Sequence, residues 1–238
     1  MSRKLLWSLG LSLLAVSLVA SPVLGQQGRG RGLFGRQSVV SLAGNEAVQK
    51  DLGVTDASKL NAVAEEYRNA VREAMSGLGI DFGALRDLPE AERAAKMREV
   101  NEKTEAAQAK VTETLLPKLK EALSADQIKR LGEIRIQADG IASLSDAAVV
   151  KELGLSEEQQ KKIADIRTEG ERARRELFGS GNNQEAVAKM REITAQTLTK
   201  ATDVLDAGQK EKFTALKGKP FDVSQLGFGG RGRRGNNN

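Results

Sequence analysis

Whatever chemistry this chain performs must come from carboxylates, lysines, arginines, hydroxyls and amides, because it contains neither histidine nor cysteine. Without histidine the commonest general base and the commonest transition-metal ligand are missing. Without cysteine there is no disulfide framework, so stability must come from packing. Asp81-Phe82-Gly83 spells the metal-binding triplet of kinases. No glycine-rich nucleotide loop or catalytic-loop sequence accompanies it, so it reads as a turn. Carboxylates are plentiful, yet no spacing singles out an acid/base pair or an oxygen cage for a cation. The run Arg172, Arg174, Arg175 reads as a solvated face suited to the negative end of a helix. Two Gly/Arg-rich stretches do offer a binding chemistry. Arg29, Arg31 and Arg36 near the start, and Arg231, Arg233 and Arg234 near the end, are spaced by glycine. Such arginines can contact phosphate or an acidic polysaccharide without ordering first. No cofactor is expected, and the chain does not read as an enzyme.

The remaining pattern of side chains with a definite geometry is a recurring phrase. Leu155-Ser156-Glu157-Glu158-Gln159 is echoed by Leu123-Ser124-Ala125-Asp126-Gln127 and, more loosely, by Leu205-Asp206-Ala207-Gly208-Gln209 and Val54-Thr55-Asp56-Ala57-Ser58. This is the chemistry of a helix start. The second residue accepts from an orphan N–H in the first turn, and glutamine three residues on reaches back to the cap's own N–H. The leading leucine can staple onto the first turn, as Leu123 onto Ile128. Acidic residues such as Glu157, Glu158 and Asp126 suit the positive helix terminus.

The elements around these phrases form two copies of one plan. Residues 47–55 (AVQKDLGVT) match 148–156 (AVVKELGLS), Ala95–Val100 match Ala188–Ile193, and Leu123–Gln127 match Leu205–Gln209. The offset falls from 93 (Met97 to Met190) to 82 (Leu123 to Leu205), so the first copy carries 11 more residues inside a helix. Eleven residues are about three helical turns, which preserves the apolar phase. Each copy reads as short helix, long helix, loop, long helix, closing helix. In the first, Asn45–Asp51 is a short helix ended by Gly53, Thr55–Ser76 follows, and Pro89–Ala122 is a long helix kinked at Pro117. Its apolar seam is expected at Met97, Val100, Thr104, Ala107, Val111 and Thr114. In the second, Ser156–Phe178 and Gln184–Leu205 flank a loop at 179–183, and the closing helix ends at Gly218. The expected fold is all-α: an elongated bundle of long, partly kinked helical hairpins from two repeats, with disordered Gly/Arg-rich tails.

The ends are different in kind. Arg3 and Lys4 precede an apolar run from Leu5 to Val19, the pattern of a secretory signal, with cleavage before Gln26 or after Ala20. The expected organisation is therefore a signal peptide at 1–25, a disordered Gly/Arg-rich segment at 26–37, helical repeats at 38–140 and 141–220, and a disordered tail at 221–238. The formal net charge is +5, of which Arg3 and Lys4 supply +2 and the six tail arginines +6, so the residues between carry −3. The sole tryptophan, Trp7, lies in the signal, leaving Tyr67 as the sole tyrosine; aromatic pockets for bases or sugars are not expected.

A signal peptide, a helical body and repeated Leu-Ser/Thr-x-x-Gln phrases resemble the LTxxQ-motif family, the Spy/CpxP-like periplasmic chaperones and stress adaptors. The likeness rests on Leu123–Gln127 and Leu155–Gln159, with Leu205–Gln209 and Val54–Ser58 as decayed copies, and covers most of 41–217. It implies an exported protein whose bent hairpins form a cradle. That cradle would bind unfolded or aggregation-prone proteins without ATP, or dock on an envelope sensor. A branch of the family binds metal through His and Cys, which are absent here. Family members carry one pair of motifs and dimerise. This chain carries two, so it is expected to be a pseudo-dimeric monomer or a homodimer, with no membrane span after signal cleavage. The competing expectation is a polyanion-binding or structural envelope protein acting through its Arg-Gly tails. On that expectation, binding to an anionic polymer weakens steeply as salt is raised and disappears when 26–36 and 227–238 are removed. A salt titration by fluorescence anisotropy checks it; full binding by the tail-less body would dismiss it.

Overall fold

A computed structural model describes residues 37–178 and 184–226. Among these residues the chain is α-helical with no strand, as expected. The first copy runs α1 (Val39–Ala43), α2 (Glu46–Asp51), α3 (Ser58–Gly77), α4 (Phe82–Arg86), α5 (Glu90–Ala122) and α6 (Ala125–Asp139). A 3₁₀ turn, Gly140–Ser145, leads into α7 (Ala147–Leu153), α8 (Glu157–Phe178), α9 (Gln184–Asp203) and α10 (Ala207–Lys217), and a last 3₁₀ turn spans Val223–Leu226. The plan of the two copies is the same: α2, α3, α5, α6 correspond in order to α7, α8, α9, α10.

Local side-chain chemistry sets the helix starts. Asn45 accepts from Ala47 and Val48 N–H to open α2, and Asp146 accepts from Ala148 and Val149 N–H to open α7. Both helices stop the same way. The Val54 N–H reaches the Gln49 carbonyl and the Leu155 N–H reaches the Val150 carbonyl, across Gly53 and Gly154 at φ +65° and +63°. That is a Schellman ending, in which glycine alone takes the left-handed conformation without strain. Asp81 also caps, accepting from Gly83 and Ala84 N–H at 2.8 and 3.0 Å. Its carboxylate therefore serves the start of α4.

Helices α3 and α5 pair as one antiparallel hairpin and α8 and α9 as another, each standing on its own core. Val40, Val48, Leu60, Leu115, Leu119, Leu131 and Ile134 lead the first core. Ile136, Leu144, Val149, Leu153, Leu155, Ile163, Ala201, Leu205 and Phe213 make the second. Each fully buried aliphatic side chain contributes about 1.5–3 kcal/mol. Helix α6 feeds both cores.

Three expectations need correction. The Thr55 phrase does not open a helix: α3 begins at Ser58, and Asp56 accepts from the Ser58 N–H and hydroxyl in a turn instead. The seam of α5 does not continue to Thr114, which is exposed and returns its hydroxyl to the Lys110 carbonyl. Beyond Val111 the buried positions are Leu115 and Leu119, because a straight helix drifts about 20° per heptad from a 3.5-residue repeat. As expected, Pro117 does not end α5, which continues through it for 33 residues, or about 50 Å at 1.5 Å each. The tail boundaries also move outward, toward the two ends of the chain. The Gln37 N–H donates to Asp139, and residues 221–226 form a turn whose Phe221 and Leu226 pack on the first core. The signal segment, 26–36, the 179–183 loop and 227–238 lie outside the described residues.

Hairpin α8–α9 closes tightly at Gly170, where a Cβ would meet the Thr197 side chain at 2.5 Å, whereas one on Gly132 in α6 would meet nothing within 4 Å. Gly170→Leu is therefore expected to cost about 1–3 kcal/mol by overpacking. Gly132→Ala should gain about 0.5–1 kcal/mol through backbone entropy. Urea midpoints of the two variants check both signs.

Candidate functional site

The phrases singled out in the sequence become three complete capping boxes. Ser124, Ser156 and Asp206 accept from the N–H of Gln127, Gln159 and Gln209, and each glutamine Oε1 accepts from the cap's N–H at 2.9–3.1 Å. The preceding Leu123, Leu155 and Leu205 are buried, Leu123 in the first core and the other two in the second. Leucine thus pins the start of each helix to a core, and the cap stands at the surface.

The glutamines do more than cap. Gln127 Nε2 donates to the Leu52 carbonyl, 75 residues away, tying α6 to the end of α2. Gln159 Nε2 donates to the Val204 carbonyl at 3.1 Å and to Gln209 Oε1 at 2.7 Å. Gln209 Nε2 reaches the Gly154 carbonyl at 3.4 Å and Gln159 Oε1 at 3.1 Å. The two motifs of the second copy therefore clasp one another, each amide bonding the backbone just before the partner's leucine. In the first copy the clasp is one-sided, because the residue matching Gln159 is Ser58, whose side chain is too short to cross. Reciprocity of this kind is invisible in a local motif.

A second set of polar contacts, not anticipated from the sequence, radiates from α6. Arg130 pairs with Asp51 at 2.7 Å and Glu133 at 3.1 Å and donates to the Lys219 carbonyl at 2.7 Å. The hydrogen bond to Asp51 holds its guanidinium above the usual arginine range. Gln137 Nε2 donates to the Lys217 and Lys219 carbonyls, and its Oε1 accepts from the Phe221 N–H. Arg135 pairs with Asp139 and Asp146, joining α6 to the cap of α7. Polar residues on an amphipathic helix ordinarily read as a solvated face, which is why these anchors carried no signal.

The hairpins carry a set of half-buried apolar side chains. On α8–α9 the base is closed by Ile163 and Ala201, while Ile166, Leu177, Met190 and Ile193 further out are half-buried. On α3–α5, Val71, Met75 and Met97 are half-buried, and a shallow hollow of ≈ 340 Å³ is lined by Arg72, Met75, Ser76, Gly79 and Ile80. Ion pairs rim both hairpins. Glu99 bonds Lys103 and Lys96, which hold its carboxyl down at about 2. Arg172 pairs with Glu176 on an exposed face. The six tail arginines lie outside the described residues. Among the described residues no group of three or more acidic side chains gathers as a metal site, and no helix is long and apolar enough to cross a membrane. Comparison of the chain with protein-family models, characterised proteins and solved structures finds no match.

The clasp makes a double-mutant cycle informative. Ser156→Ala should cost about 1 kcal/mol through the lost cap. Gln159→Ala and Gln209→Ala should each destabilise, and their sum should miss the double variant by about 0.5 kcal/mol or more, since the two share one bonded pair. Strict additivity in thermal unfolding would mean that the amides act separately.

Proposed function

We propose that this chain is an exported, ATP-independent chaperone-like or envelope stress-adaptor protein that acts by binding, without catalysing a reaction. It holds unfolded or partner proteins against its helical hairpins and works in the periplasm or an equivalent exported compartment. The observation that carries this reading is the row of half-buried apolar side chains along the hairpins, Ile166, Leu177, Met190 and Ile193 on α8–α9, of which Ile166 packs on the second core. Methionines at 75, 97 and 190 suit such a surface, because a flexible thioether adapts to partners of different shape. The rim of ion pairs keeps the surface soluble between encounters. Support also comes from the repeated Leu-Ser/Asp-x-x-Gln caps that underlie the likeness to the LTxxQ-motif proteins. With two motif pairs in one chain, the duplication would supply both halves of a cradle that the family builds from two subunits.

The test is light scattering from a thermally unfolding client protein with substoichiometric amounts of the chain lacking residues 1–25. Suppression of aggregation without ATP is expected. Met75→Lys together with Met190→Lys should remove most of it while the helical circular dichroism spectrum is retained. Absence of suppression by the wild-type chain would overturn the reading.

A further inference from the structure

Helix α6 ends on a carboxylate that is sealed from water and tied to parts of the chain far apart in sequence. The Asp139 side chain is 1 % exposed. Its Oδ1 accepts from the Gln37 N–H at 2.9 Å, and its Oδ2 pairs with Arg135, one turn back, at 3.5 Å. Arg135 Nη1 also reaches Asp146 Oδ2 at 3.0 Å, across the 3₁₀ turn Gly140–Ser145. The other oxygen of Asp146 accepts from the Ala148 and Val149 N–H groups that open α7. One polar cluster therefore joins the entry of the chain, the end of the helix that feeds both cores and the start of the second copy.

Charge-assisted bonds of this kind are made to the ionised carboxylate and weaken when it takes up a proton. An exposed carboxylate would leave its former partners to water. A sealed one cannot, so those partners must move out to be solvated. Arg135 faces Asp139 from its own helix and Asp146 faces the same guanidinium from the cap of α7. Helix α1 and the 3₁₀ turns Gly140–Ser145 and Val223–Leu226, all packed on α6, bring no titratable side chain. Helix α10, also packed on α6, has Lys210 on Asp203, Lys217 over the Phe213 ring, and Glu211 and Lys212 exposed.

We propose that Asp139 is an acid-operated latch on the entry of the chain. Ionised, it holds residue 37 against the junction between the two copies; protonated, it lets residue 37 go while both cores stay folded. The sign follows from which form is bound. The contacts belong to the carboxylate, so they stand at neutral pH and are lost as the pH falls toward the ordinary aspartate range, about 4. Release stops at residue 37, because Ser38 keeps its own bonds to the Val40 N–H and to the Thr112 hydroxyl. The latch thus governs how the segment ahead of α1 is attached, and it does not depend on the chaperone-like reading.

The experiment is amide hydrogen exchange followed by NMR on the full chain, from about pH 7 down to about pH 3. The Gln37 amide reports the latch, and the Leu131 and Ile134 amides report the first core. Each is expressed as protection relative to an unstructured chain, which removes the intrinsic pH dependence of exchange. Protection of Gln37 should hold near neutrality and then fall by about tenfold per pH unit, the slope for uptake of one proton, while Leu131 and Ile134 stay protected. Asp139→Asn keeps an acceptor oxygen but cannot titrate, so its Gln37 protection should start lower and stay flat. Asp126→Asn, at an exposed carboxylate in the first turn of the same helix, should reproduce the wild-type profile. An unprotected Gln37 amide at neutral pH would overturn the latch, as would one that stays protected until Leu131 and Ile134 exchange as well. A bend that survives Asp139→Asn, or that Asp126→Asn removes, would do the same. The wild-type profile decides the case by itself should Asp139→Asn fail to fold.

Discussion

The fold depends on one helix being apolar on two sides. At 3.6 residues per turn, positions two apart on a helix point about 200° from each other. Ile134 of α6 is buried in the first core and Ile136 in the second. The two residues therefore stand back to back, and α6 is a shared wall. Three of its polar side chains hold neighbours: Arg130 and Gln137 the segment after α10, Arg135 the cap of α7. Each hairpin is rooted in a core that this helix closes, and further out Leu85, Val100 and Ala186 are also buried.

The two copies have diverged around that wall in a physically readable way. In the second, both capping glutamines survive and clasp across the base of the hairpin. In the first, serine at 58 has lost the reach, and the base is held instead by Gln127 on the Leu52 carbonyl and by the Arg130–Asp51 pair. Where the second copy has a neutral amide pair, the first has a partly buried ion pair with a second carboxylate, Glu133, beside it. The first core also takes in Phe221 and Leu226 from the end of the chain, so its surface is completed by residues from beyond the second copy.

What could be read from the sequence was the chemistry that is local. Ser124, Ser156 and Asp206 could be named as caps because the bonds they make span three residues. Gly53 and Gly218 could be named as helix ends for the same reason. Thr55 was misleading because its phrase keeps the cap residue but lacks the glutamine, and Asp56 makes a competing turn one residue later. Thr114 was misplaced because a seam followed at constant spacing ignores the drift that brings Leu115 and Leu119 inward. The amide clasp, the Arg130 and Gln137 anchors and the docked chain end all join residues 45 to 89 positions apart. No local pattern marks such pairs. Phe221 and Leu226 looked like part of a polar, glycine-flanked tail, and only their packing partners reveal them as anchors.

Both exits of the chain from the folded body are tied to the same lobe. The Gln37 N–H is held by Asp139 and Val39 packs on the first core, where Leu226 also docks. Residues 37 and 226 therefore meet the same core, although almost the whole described chain lies between them in sequence.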